Sequence, residues 1–284
     1  MFDGIRESLS SMLGSEGLRI FTTNARLGLT SLLFFLFYGG SLLWLVDRGR
    51  KGHKIPKIRR IAGLDAIDEA IGRATEMGRP VLFSPGISEF VPGTFAAFAV
   101  MGHVAKLIAK FDSRLIVCNR NINVYPVTQS IVRQAYLEVG KPDAYRDEDV
   151  RFLTADQFGY AAGVVGVMNR ENVAAMLLIG QFYAESLIFA EAGNNAGAIQ
   201  VAGTDSVAQM PFFIVACDYC LIGEEIFAAG AYLSQDKVRV ATMVAQDWGK
   251  QLVVALILLG VLTSTYASIV SDSTHLIDQL LRLY

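Results

Sequence analysis

The chain has 284 residues, with 25 Lys and Arg against 27 Asp and Glu, and a formal net charge of −2 gives no electrostatic reason to expect a DNA or RNA partner. With 26 glycines, only 7 prolines and no low-complexity stretch, the middle of the chain reads as a compact domain large enough for its own core. Its three cysteines, Cys118, Cys217 and Cys220, fall in the part assigned below to the cytoplasm, where disulfides are uncommon.

Residues 1–26 place Phe2, Ile5, Leu9 and Met12 on one helical face, as an amphipathic segment lying on the outer membrane surface would. Residues 27–46 form an uncharged apolar run from Leu27 to Val46. At 1.5 Å per residue such a helix covers roughly 30 Å, the thickness of a bilayer's hydrocarbon core. The juxtamembrane segment 47–60 then carries Arg48, Arg50, Lys51, Lys54, Lys57, Arg59 and Arg60, which the positive-inside rule puts in the cytoplasm. This cluster serves as a topology determinant or binds anionic headgroups.

Residues 61–249 alternate helical periodicity with short apolar runs. Leu64, Ile67, Ala70, Ile71 and Ala74 recur at helix spacing until Gly78 and Pro80. Strands are predicted at Val81–Phe83, Leu115–Cys118, Val150–Leu153, Val173–Ile179 and Ala198–Ala202. Helices are predicted between them, at about 93–110, 126–139, 155–168 and 182–192. Beyond Gly203 the pattern reads as helix alone, with 209–233 packed on the sheet. The expected fold is α/β, an open and mostly parallel sheet with helices on both faces, flanked by an N-terminal and a C-terminal transmembrane helix.

From Asp236 a single helix of about 35 residues is expected, leaving the domain without a flexible linker and entering the second apolar run, Leu252 to Val270. The second membrane segment, taken as 250–270, leads outward to an amphipathic tail, 271–284, with Leu276, Ile277, Leu280 and Leu281 on one face. Both termini are thereby extracytoplasmic and the protein sits in the cell membrane. Within the second span Gly260, Ser264 and Ser268 are four apart on one face, a small-residue stripe that lets helices approach closely in lipid.

The segment Arg73-Ala74-Thr75-Glu76-Met77-Gly78-Arg79-Pro80-Val81, with Ala202-Gly203-Thr204-Asp205, Pro211-Phe212-Phe213, Cys217-Asp218-Tyr219 and Leu221-Ile222-Gly223-Glu224-Glu225, resembles a prokaryotic membrane-protein family known only as a domain of unknown function. The resemblance spans about residues 58–250 and implies no activity, cofactor or catalytic residue.

In a parallel sheet, ligands bind beyond the carboxyl ends of the strands. Here those ends offer Ser84, Asn119, Gln181, Thr204 and Asp205, with Glu185 just after the fourth strand. Thr204 could cap the next helix, and the loop 86–93 could present helix N–H groups to an anion. Ordinary caps and turns are the other reading, since no Walker A lysine and no G-x-G-x-x-G follows a strand. Glu185 and Glu225 lie in apolar surroundings that would disfavour their charge, as a general acid requires or as a structural hydrogen bond would relieve. His103 shares a polar stripe with Lys106 and Lys110, and Cys217-x-x-Cys220 lacks the second pair that a zinc ribbon needs. No catalytic set, metal or cofactor is expected.

Two functions compete. One is a non-enzymatic membrane scaffold that packs side by side in a homo-oligomer or docks another membrane complex, with the lipid bilayer as a further partner. The other is a sensor or enzyme that binds a nucleotide or metabolite at the strand carboxyl ends.

Overall fold

The computed structural model describes residues 32, 35–51, 62–234 and 237–270. The amphipathic segments expected at the two ends of the chain, and the basic residues from Lys54 to Arg60, lie outside them. The chain divides into two units, residues 57–240 and residues 1–56 with 241–284.

The first unit begins with helix α2 (Ala62–Glu76) and continues as β1 (Val81–Gly86), α3 (Pro92–Lys110), β2 (Leu115–Asn119), α4 (Tyr125–Val139), β3 (Val150–Phe152), α5 (Gln157–Glu171), β4 (Ala175–Gln181), α6 (Glu185–Asn195), β5 (Ile199–Thr204), α7 (Met210–Ala216), β6 (Tyr219–Ile222) and α8 (Glu225–Ser234). Its six strands form one sheet in the order β3-β2-β1-β4-β5-β6, and every pairing is parallel. Strand alternation sorts the core into two layers. Val81, Phe83, Leu115, Val117, Leu177 and Val201 pack with α2, α3, α4 and α8. Leu82, Ile116, Cys118, Met176, Leu178 and Ala202 face the other way, onto α5, α6 and α7. Covering both faces explains why the central strands are apolar without interruption.

The helical face read from Leu64, Ile67, Ala70, Ile71 and Ala74 is buried throughout. Helix α3 is long and apolar enough to cross a membrane, yet most of it is buried in the core. Its apolarity serves the contact with sheet and helices on several sides. One expectation fails: the region after Gly203 is not helix alone, because Tyr219–Ile222 pairs with β5 as the edge strand β6. Only Leu221 of its four residues is buried. A strand this short, half exposed and set among apolar residues shows no alternation that could distinguish it from its helical neighbours.

In the second unit, α1 covers residues 35–50 and α9 spans Lys237–Val270, in accord with the expected helix of about 35 residues. Residues Val240–Tyr266 are long and apolar enough to cross a membrane, and none of that stretch is buried. Leu45 packs on Ala241, Val244 and Ala245. Tyr38 lies against Gly249, where a Cβ would come within 2.8 Å of its ring. Later residues of α1 thus meet earlier residues of α9, so the two helices run antiparallel.

Candidate functional site

The strand order reverses between β1 and β4, the switch point at which doubly wound sheets usually open a ligand crevice. Here the two strands stay joined past that point. Gly86 pairs with Gln181 after a bulge, and Ile87 N donates to Gln181 O at 2.9 Å. The approach is so close that a Cβ on Gly86 would lie 2.5 Å from Gln181 O, and one on Gly180 2.4 Å from Pro85 O. Both residues also have positive φ, +90° and +137°, which leaves glycine as the residue that fits.

The side chains singled out at the carboxyl ends are drawn into separate local pairings. Tyr160 donates its hydroxyl proton to Cys118 O at 2.8 Å, so Ser84 Oγ, also 2.8 Å away, is the donor to Tyr160. Burial pushes the Tyr160 phenol well above its ordinary range and the Cys118 thiol up to about 12, so neither is a ready nucleophile. Glu185 is fully buried at the start of α6. Its Oε1 accepts from Tyr183 N at 2.8 Å and its Oε2 from Gln157 Nε2 at 2.5 Å. A carboxylate at a helix N-terminus is also favoured by the helix dipole. This is the structural hydrogen bonding that the apolar context left open.

Gln181 accepts from Ser88 Oγ at 2.9 Å, and Asn119 Nδ2 donates to Arg151 O at 3.3 Å. Thr204 does not cap the next helix. Its Oγ1 accepts from Ser206 N at 3.2 Å in a turn, and α7 begins four residues later with Gln209 at its N-cap. Asp205 reaches across the sheet end to α3: a Cβ on Gly93, in the first turn, would lie 2.9 Å from Asp205 Oδ1. Asp205 thus lies beside the first turn of α3 without accepting a hydrogen bond at Oδ1. Two acceptors here are buried and have no hydrogen-bond partner among the described residues, Asn119 Oδ1 and Asp205 Oδ1.

A cavity of about 200 Å³ opens at the opposite end of the sheet, beside the first residues of β2 and β3. Arg114 and Asp149 in its lining belong to an alternating ring of four charges, closed by Glu171 and Arg151. Arg114 donates Nη2 and Nε to the two oxygens of Asp149 at 2.5 and 2.9 Å and Nη1 to Glu171 at 2.8 Å. Arg151 donates to the other Glu171 oxygen at 2.7 Å. Asp149 is only 5% exposed, and the fork supplies its charge-assisted hydrogen bonds. Tyr136 and Tyr145 meet edge to face, 5.9 Å apart, along the wall. Burial, then Asp149, push the Tyr136 phenol up to about 12. Attention to carboxyl ends missed this end; the available signal was a pair of opposite charges, Asp149 just before a very short strand and Arg151 within it.

His103 pairs with Asp68 at 3.4 Å, and Lys106 with Glu138 at 2.6 Å, as a polar face would. Cys217 and Cys220 are free thiols, and burial raises them to about 12 and about 11. Among the described residues no three His, Cys, Asp or Glu side chains group closely enough to hold a metal ion.

A different kind of surface surrounds β6. Of the seven residues of α7 only Phe213 is buried, while Phe212, Ile214 and Val215 are exposed, Val215 by 87%. Val207 before the helix and Tyr219 and Ile222 on the edge strand are exposed as well. No Lys or Arg occurs anywhere between Arg170 and Lys237.

These features define a class first, a three-layer, doubly wound α/β domain in a chain that also carries an exposed apolar helix long enough to span a bilayer. The chain belongs to the family described as Domain of unknown function (DUF6754), whose model matches residues 20–275 and so takes in both apolar runs. No curated protein and no solved structure matches it. A fold of this kind hosts many chemistries, so function has to be argued from the surfaces themselves.

Proposed function

We propose that the protein is a two-span membrane scaffold without enzymatic activity, whose α/β domain lies in the cytoplasm and associates side by side with further copies through the α7–β6 face. The exposed apolar helix α7 carries this reading. Contiguous apolar surface on a folded domain marks interaction sites, and natural sheets usually blunt an edge strand with charge, most often lysine. The β6 side carries exposed Phe212, Ile214, Val215 and Ile222 instead, with no basic residue nearby in sequence. The antiparallel contact of α1 and α9 supports two spans entering the bilayer from one side, and the basic residues Arg48, Arg50 and Lys51 at the end of α1 support that side being cytoplasmic.

The test is the mass of the full chain in mild detergent or nanodiscs. An assembly is expected for the parent and a smaller particle for Ile214→Asp with Val215→Asp, two exposed positions where an added charge leaves the core alone. An unchanged mass would remove the α7–β6 face from the assembly. A second reading, ligand binding at the carboxyl ends, draws support from the partnerless acceptors Asn119 Oδ1 and Asp205 Oδ1, which suit a molecule with N–H or O–H donors. A strict monomer that retains such a metabolite through purification would favour it over the scaffold.

A further inference from the structure

The chain contains two tryptophans, and in the structure they meet. Trp44 of α1 and Trp248 of α9 stack with centroids 6.3 Å apart and ring planes at 28°. Both are exposed, by 51% and 39%. The stack sits where both helices change character. On α1 the residues before Asp47 are uncharged as far back as Leu27, and on α9 no charge occurs from Gln251 to Val270. Charge begins at Asp47 and Arg48 on the one and ends at Asp247 and Lys250 on the other. Two boundaries that coincide in space, with an indole on each, have the form of a membrane interface, where Trp sits with its ring at headgroup level.

Arg48 adds a binding group to that platform. Its guanidinium lies 5.1 Å from the centre of the Trp44 ring. Among the described residues it has no carboxylate partner, whereas neighbouring Asp47 is taken by Lys51 at 2.5 Å and Asp247 by Lys250 at 3.5 Å. A guanidinium stacked on an aromatic face is held in place while its in-plane N–H donors stay free, and those donors match a phosphate oxygen pair. From these observations we infer that the Trp44–Trp248 stack with Arg48 is a binding site for the phosphate of an anionic phospholipid, at the level where α1 and α9 cross the bilayer interface. The inference rests on the membrane reading above and names the lipid chemistry it meets. Arg48 bridges lipid to Trp44, and Trp44 bridges to Trp248, so an occupied site also holds the two helices together.

Because both tryptophans belong to the stack, intrinsic fluorescence of the full chain reports on it directly. The chain is reconstituted into phosphatidylcholine vesicles, alone or mixed with phosphatidylglycerol, with bromine placed at shallow or deep acyl positions. Co-flotation with the vesicles reports insertion by itself, and a chain that does not float would overturn the membrane reading and the site with it. For an inserted chain, quenching is expected to be strongest from the shallow bromines, and phosphatidylglycerol is expected to shift the emission. Arg48→Gln should weaken the phosphatidylglycerol response about fivefold, the contribution of one basic residue at a membrane surface, while Arg48→Lys, which keeps the charge and loses the planar fork, retains only part of it and Arg50→Gln changes it little. An inserted chain whose emission ignores bromine depth, or whose response survives in Arg48→Gln or disappears equally in Arg50→Gln, would overturn the site. So would an equal response to inorganic phosphate over pure phosphatidylcholine, which would make it a general anion site.

Discussion

At one edge of the sheet β3 carries a charge at its centre, Arg151, and at the other β6 carries exposed apolar side chains. β3 is three residues long, and Arg151 in its centre is tied through Glu171 to Arg114 and Asp149, so its outer side is short and occupied. β6 is hardly longer, yet it is flanked by α7 with a single buried residue. Both edges belong to one parallel sheet with similar backbone groups to satisfy. The difference lies in what would happen on contact with another chain, since burying the β3 edge would desolvate an ion network whereas burying the β6 side would remove apolar surface from water. The contrast teaches that the first edge is finished by the fold itself, and it is why association is assigned to the second.

The largest expected effect breaks the β3 side. Arg114→Met removes the fork from Asp149 and leaves a nearly buried carboxylate with only the more distant Arg151, at 3.7 Å, at a cost of about 2–4 kcal/mol given that Arg114 itself is partly exposed. Chemical denaturation of the full chain in detergent measures it. A change near zero would mean that water replaces the fork and that the network does not secure this edge.

A smaller effect is expected for Glu171→Gln, about 1–2 kcal/mol, because the amide loses the negative charge and keeps one acceptor oxygen for two guanidinium donors. This one depends on pH. Hydrogen bonds from Arg151 and then Arg114 hold the Glu171 carboxyl below its ordinary value of 4.5. Its contribution is therefore complete above the unfolded-state value and is lost as the pH falls through the lower folded-state value. The gap in stability between parent and Glu171→Gln should be constant near neutrality and close in acid, and a gap that widened in acid would contradict the assigned charge state.

On the β6 side the Ile214→Asp, Val215→Asp variant should cost less than about 0.5 kcal/mol of stability, since neither side chain is buried, while reducing particle mass. A loss of stability without a change in mass would show that α7 packs within its own chain, and the comparison of edges would fail. The smallest effect is expected within lipid. Gly260 is half-buried and Ser264 exposed on α9; the side chain of Ser268 lies outside the described residues. Replacing Gly260 and Ser264 by Leu keeps the span apolar and blocks close approach, so insertion should be unchanged and assembly weakened by about 1 kcal/mol or less. Unchanged particle size would remove these residues from the assembly and put all of the association on the α/β domain.

Local pattern accounts for much of what was legible in the sequence. The apolar runs, the helix face of Leu64 to Ala74, five of the six strands and the long helix from Lys237 follow from hydropathy and periodicity over neighbouring residues, which report how a segment is buried. So does the α/β class, because strands that alternate with helices and are apolar on both faces can be covered only by a parallel sheet with helices on each side. The edge strand β6 escaped because four residues, one of them buried, carry too little pattern. Partner choice is a different matter. That Glu185 is met by Gln157, that Arg114 finds Asp149, that Asp205 lies beside Gly93 of α3 and that Trp44 stacks on Trp248 all depend on strand order, register and helix crossing. Those join residues tens to hundreds of positions apart. The periodicity of a segment states which of its faces turns inward, but the residue that waits there is decided only when the layers close.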